Sequence, residues 1–496
     1  MFRFFESLVD PYVDHEATDR PPNRLWPFLW SYAQPFKKVF AVSAIMSVVT
    51  ASIEVWLLWY LGRVIDLLSG GAPAEVWEAN KTELFLVAGF ILLVRPLVQG
   101  LDVALLNNVI LPNFGTLIRW RAHGHVLRQS IGWFEDDFAG RIANRVTQTP
   151  PAAGEAVFQV FDAITFSLAY AVGAFVLLAD ADIRLTIPLL IWLGLYALLI
   201  RWTVRRVGPA SKAASDARSA VTGNIVDAYT NIHSVKLFAQ SEHELQGAKG
   251  VIENTRQTFA REMRIFSIMD FTLVILNGVL IVGVVGWAIY LWLGGSATAG
   301  VIAAATALVL RLNAMTGWIM WALTSFFREL GVVSEGMETI AQPITLVDGP
   351  DAQPLVVTEG RIEIAGLSHH YGRQSGGIDS LDLLIEPGEK VGIVGRSGAG
   401  KSTLVKLLLR FYDAEAGVIR IDGQDIRDVT QDSLRGAIGM VQQESSLLHR
   451  SVRANILYGN AQASEEQMIE AAGRAEALEF IADLQDPEGN SGLDAR

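Results

Sequence analysis

Cysteine is absent from all 496 residues, which excludes disulfides and thiolate metal sites and fits a chain facing a reducing cytosol. The opening residues, Met1-Phe-Arg-Phe-Phe-Glu-Ser7, lack the basic, apolar and small-residue succession of a cleaved signal peptide. Charge is scarce: 19% of residues are Asp, Glu, Lys or Arg, and the net charge is −12. Residues 341–496 hold 24 acidic and 14 basic residues, against 28 and 26 before them. The acidity therefore belongs to the C-terminal part, and it argues against a nucleic-acid partner.

What the chain has in excess is apolar sequence. Hydrophobic residues make up 51%, and mean hydropathy is +0.32. Six runs, about residues 39–61, 84–106, 157–178, 185–202, 271–293 and 301–326, are each long enough to cross about 30 Å of hydrocarbon as a helix. Before them, residues 1–35 are polar and proline-broken. Their aromatic cluster Trp26-Pro-Phe-Leu-Trp30 suits the lipid interface.

Basic residues set the orientation. Arg119, Arg121, Arg128, Arg141 and Arg145 lie between spans two and three, and Arg205, Arg206, Lys212, Arg218, Lys236, Arg261 and Arg264 between spans four and five. The opposite loops carry only Arg63, Lys81 and Arg184. Both long segments and both ends are thus expected in the cytoplasm, with span helices continuing past the membrane and reversing there. Ionisable residues inside spans are costly. Arg95, Gln99 and Asp102 form one stripe in the second span; Glu54, Asp162 and Arg311 lie in others. Two readings stay open: Arg–carboxylate pairing that fixes helix packing, or a polar wall on a substrate path.

Residues 331–360, with Gly331, Gly336, Pro343, Gly349, Pro350 and Pro354, are expected to be a linker. The domain at 361–496 is organised around Val391-Gly-Ile-Val-Gly395-Arg-Ser-Gly-Ala-Gly400-Lys401-Ser402-Thr403. Strand-like sequence runs into a loop of the form G-x-x-x-x-G-K-[ST], and a helix-forming stretch follows. Glycines let backbone N–H groups turn inward around a phosphate, and the helix N-terminus favours the same anion. Gly395, Arg396, Ser397, Gly398, Ala399, Gly400, Lys401, Ser402 and Thr403 are therefore candidate ATP-binding residues. Lys401 is assigned to the β- and γ-phosphates and Ser402 to Mg²⁺.

Six spans with two long cytoplasmic loops, followed by a P-loop domain, resemble the ATP-binding cassette (ABC) exporters, specifically a half-transporter of the multidrug and lipid export type. The resemblance covers the chain from about residue 36. It implies a six-span α-helical transmembrane domain at 36–330 followed by an α/β P-loop NTPase domain. It also implies that Tyr371, in Ser368-His-His-Tyr371-Gly, stacks on adenine, and that Gln443, in Met440-Val-Gln-Gln443, ligates Mg²⁺ and senses the γ-phosphate. Glu135 to Arg145 and Ala228 to Lys236 fall where such exporters place coupling helices. Leu68-Ser-Gly-Gly-Ala72 nearly spells the family's signature but lies in an external loop, where it is a turn.

The resemblance further implies ATP and Mg²⁺ as cofactors, a second half-transporter as partner (homodimer or heterodimer), a transported small molecule, lipid or peptide, and a place in a cell membrane, as in a bacterial inner membrane. One departure is marked. After the P-loop there is no signature motif and no apolar strand ending in Asp-Glu, so the domain reads as incomplete at its C-terminus, with the catalytic Glu expected beyond Arg496. On that reading residues 1–496 alone are inactive as an ATPase. The alternative is a nucleotide-binding membrane sensor or a degenerate half-transporter.

Overall fold

The computed structural model describes the chain apart from residues 1, 16–17, 138, 374–375 and 442–446. It divides into two compact units, residues 1–347 and 348–496. Among the described residues of the first, six helices are long and apolar enough to cross a membrane. The short helix α1 (Leu25–Ala33) precedes them. The six are α2 (Lys37–Leu68), α3 (Pro73–Leu127), α4 (Ala139–Ala181), α5 (Thr186–Thr230), α6 (Ser241–Leu293) and α7 (Ala299–Ile340).

Helix is what an apolar medium demands, because each backbone N–H must find its acceptor within its own segment. The helices then overshoot. The 53 residues of α6 span about 80 Å at 1.5 Å per residue, well beyond the hydrocarbon. The reversals fall at the short helices Ile131–Glu135 and Ile232–Leu237, within or beside the two stretches expected to couple. Three wide π-type turns, Phe90–Val94, Leu106–Ile110 and Val160–Thr165, interrupt α3 and α4. Pro96 and Pro112 follow the first two: each lacks an N–H and crowds the carbonyl four residues back, which widens the turn.

Among the described residues two large apolar clusters, with a smaller one at Leu106, Ile110 and Phe161, hold this unit. One joins Tyr170, Leu178, Leu189, Leu280 and Leu308 across α4 to α7. The other packs Phe28 and Phe36 on Phe114, Leu117 and Val333, so the N-terminal segment is part of the membrane unit's core. At the other end α2 and α7 nearly touch. A Cβ on Gly300 would lie 2.2 Å from the Gly62 carbonyl oxygen. The Asp66 carboxylate accepts the Gly300 N–H and the Thr298 hydroxyl, both at 2.8 Å, tying off the N-terminus of α7.

Two expectations change. Residues 331–340 are helix, not linker: Gly336 serves close packing, since a Cβ there would meet Thr149 Oγ1 at 1.7 Å. In the second unit, strands β1 (Ile362–His369), β2 (Ile378–Ile385), β3 (Ala416–Ile421) and β4 (Gln424–Asp425) form one antiparallel sheet in the order β2-β1-β3-β4. Ile362 faces Ile385 on one side and Ile421 on the other. The strand expected at Val391–Val394 pairs with no described segment, and Val394 is 93% exposed. Strand pattern without a ladder does not make a strand.

The Gly62–Gly300 contact generates a test. Gly300→Ala should lower the melting temperature of the detergent-solubilised protein by several degrees, because the methyl meets backbone on α2. Gly286→Ala, in open surroundings on α6, should leave it unchanged or raise it.

Candidate nucleotide site

The phosphate loop precedes helix α8 (Lys401–Leu408). Gly398 and Gly400 take φ of +82° and +84°, the left-handed region that a side chain disfavours. At Gly400 space forbids one as well: a Cβ would lie 2.5 Å from the Gly377 carbonyl oxygen at the start of β2. The loop is thus seated on the antiparallel sheet by a backbone approach that only glycine permits. Ala399 N–H closes a turn onto the Arg396 carbonyl at 3.1 Å, with Ser397 within that turn. Lys401 curls over the same loop, its Nζ donating to the Gly395 and Arg396 carbonyls at 2.8 and 3.0 Å. Ser402 is exposed on the first turn of α8, while Thr403 is buried.

Tyr371 joins this group in space. Its hydroxyl donates to Thr403 Oγ1 at 3.2 Å, and its ring, 38% exposed, meets His369 and Tyr412 edge-on at 4.6 and 5.1 Å between centroids. The backbone there is strained, at φ +55°. Glu415, at the head of β3, holds it. The carboxylate accepts the His370 N–H at 2.9 Å and the Gly372 N–H at 2.8 Å, bracketing Tyr371. Those bonds hold the Glu415 carboxyl below its usual range, the Gly372 amide contributing most. The tie is complete above about pH 4.3, the unfolded value, and is lost as pH falls through the lowered folded one. Burial pushes His369 below the ordinary histidine value, so the ring on Tyr371 is neutral at pH 7.

Asp422 is a second carboxylate spent on backbone. It accepts N–H groups from Thr358, Glu359, Gly360 and Arg361 at 2.7 to 3.0 Å, and these bonds pull its pKa far down, Gly360 foremost. The segment leading into β1 is thereby strapped across the β3–β4 turn. Neither Glu415 nor Asp422 stood out in the sequence. Gln443 lies outside the described residues.

The membrane residues separate. Arg95 Nη2 meets Glu54 Oε1 at 2.6 Å, and Arg311 Nη2 meets Glu54 Oε2 at 3.5 Å, so one carboxylate joins α2, α3 and α7. Gln99 is exposed on the single chain and Asp102 half-buried. Asp102 Oδ1 is shielded and has no hydrogen bond among the described residues.

Residues 40–315 match the ABC transporter transmembrane region, and residues 378–491 match the ABC transporter domain. The first match alone covers more than half of the chain. The chain belongs to the ABC transporters. It is 37% identical over 495 residues to an uncharacterized ABC transporter ATP-binding protein of Haemophilus influenzae, covering all of this chain and 80% of that one. Over 381 residues it is 30% identical to a putative multidrug export ATP-binding/permease protein of Staphylococcus aureus, covering 75% of this chain and 64% of that one. It thus spans less than two thirds of the Staphylococcus protein. Its fold is that of a bacterial Atm1-family ABC exporter solved with ATP bound, with a TM-score of 0.78 at 21% identity over 93% of this chain and 80% of that chain. An ABC transporter domain binds nucleotide, and the loop Gly395–Thr403 has the glycines and lysine for it.

Glu415 offers a discriminating measurement. Glu415→Ala should weaken ATP binding by roughly threefold to tenfold, as Tyr371→Ala does, if the ring stacks on the base. Tripolyphosphate, which has no base, should bind both variants like the unaltered protein, whereas Lys401→Ala should lose both ligands. Equal loss of tripolyphosphate in Glu415→Ala would mean that the tie supports the whole loop, not the ring.

Proposed function

We propose that the protein is half of an ATP-driven exporter, working as a pair of such chains, in which nucleotide at the Gly395–Thr403 loop drives alternating access of the helices. The observation that carries this is the joining of six helices, several far longer than a bilayer is thick, to a domain with a phosphate loop, in a chain whose fold matches an exporter. In this reading Tyr371 stacks on adenine, the backbone N–H groups from Gly395 to Thr403 cradle the phosphates, and Lys401 turns from its carbonyls to the β- and γ-phosphates. The exposed Ser402 hydroxyl fits a Mg²⁺ ligand, with Gln443 as the second. When bound, Mg²⁺ would offset the charge between the β- and γ-phosphates.

Within the membrane unit, Glu54 with Arg95 and Arg311 holds three helices together, while Gln99 and Asp102 face a path for substrate. Both termini lie on the cytoplasmic side of the membrane, a bacterial inner membrane in this reading, and the arginine distribution supports that orientation. The putative multidrug role of the Staphylococcus relative makes an amphipathic small molecule the first substrate class to try, with lipids and peptides after it. Residues 1–496 contain no apolar strand ending in Asp-Glu after the P-loop. A polypeptide restricted to them should therefore bind ATP without turning it over.

The function is tested in proteoliposomes containing the whole protein. ATP should drive accumulation of at least one amphipathic dye, lipid or peptide, Lys401→Ala should abolish it, and crosslinking should trap a two-chain species. ATP binding without any transport across such a panel would favour a nucleotide-responsive membrane sensor instead.

A further inference from the structure

One cavity of the membrane unit is used neither by nucleotide nor by the proposed substrate path. The N-terminal segment folds back on α3 and leaves a space of about 420 Å³ beside it, lined by His15, Tyr32, Trp120, Arg121, His125 and Arg128. A space of that size suits a small organic ligand or a headgroup more than a single ion. Its cations are not equivalent. Arg128 is paired with Asp19, and His125 Nε2 lies 2.8 Å from the Gln342 carbonyl oxygen. Arg121 has no ion pair among the described residues, and its Nε is closed off from solvent without a hydrogen bond. The guanidinium lines the cavity with no carboxylate of its own among the described residues, and the partner such a group fits best is a phosphate or carboxylate. The described carboxylates nearby are Asp19, engaged by Arg128, and Asp14, which acts on His15.

The surroundings say where the anion comes from. Helix α1 buries Phe28 and Tyr32 against the core and turns Trp26 and Trp30 outward, 64% and 62% exposed. Lys37 and Lys38 follow at the start of α2, and Trp120, on the cavity wall, is 53% exposed. Outward tryptophans on a short helix, next to lysines where an apolar span begins, mark the headgroup layer of a bilayer. Basic pockets at that level are suited to anionic headgroups.

We propose that this cavity binds the headgroup of an anionic phospholipid, with its phosphodiester against Arg121 and its glycerol region against Tyr32 and Trp120. The inference needs only that the chain lies in a membrane; it is independent of the exported substrate and of ATP. The test is lipid binding to the purified full-length protein in detergent, read by native mass spectrometry. Phosphatidylglycerol should be retained at least tenfold more than phosphatidylcholine of the same chains, and millimolar inorganic phosphate or glycerol phosphate should not displace it. Arg121→Gln should reduce retention about tenfold, Arg121→Lys less, and Arg119→Gln, at an exposed position, not at all. Equal retention of the two lipids, or of phosphatidylglycerol by Arg121→Gln, would overturn the proposal. Displacement by inorganic phosphate would also overturn it, in favour of a soluble-anion site. The comparison of lipids on the unaltered protein stands even if a variant does not fold.

Discussion

The backbone's need for hydrogen-bond partners in a medium without water governs this molecule more than any other constraint. It turns every apolar run into helix and leaves side chains to decide how the helices meet. Where they approach most closely the answer is the absence of a side chain, at Gly62, Gly300 and Gly336. Where charge must enter, one carboxylate is shared: Glu54 receives Arg95 from α3 and Arg311 from α7. Removing Glu54 would leave two guanidinium groups in the helix bundle without that partner, a larger loss than the net worth of the pairs themselves.

The second unit solves the same backbone problem with carboxylates. Asp422 takes four N–H groups from the strap before β1, and Glu415 takes two that flank Tyr371. Both act on loops, which have no ladder of their own to satisfy them. The phosphate loop lies at the Glu415 end of β1, seated by the contact of Gly400 with Gly377 and joined to Tyr371 through Thr403. A site that binds an anion through backbone N–H groups needs the backbone fixed beforehand, and these ties fix it.

The span helices and the phosphate loop were legible in the sequence because each is a local pattern: long apolar runs, and glycines at set distances from Lys401. Helix ends were harder to read. Gly331 and Gly336 look like breakers, yet α7 runs through both, because the space needed by Thr149 is a tertiary fact. The strand at Val391–Val394 failed for the opposite reason: its composition suits a sheet, and no described neighbour pairs with it. Glu415 could not have been found by spacing, and Glu54, singled out as a charge inside a span, could not be given its particular partners that way. Their partners are 43 to 45 and 41 to 257 positions away, and single acidic residues carry no pattern.

The central claim is that nucleotide at the Gly395–Thr403 loop moves the long membrane helices. A chain without cysteine suits a direct measurement, since one introduced cysteine carries the only label. With a spin label at position 247 on α6, an open position, the distance between the two chains of the assembled transporter in lipid nanodiscs can be read by electron paramagnetic resonance. The account predicts that the distance shortens when ATP and Mg²⁺ are added and stays fixed in Lys401→Ala. An unchanged distance, under conditions where ATP demonstrably occupies the loop, would contradict it.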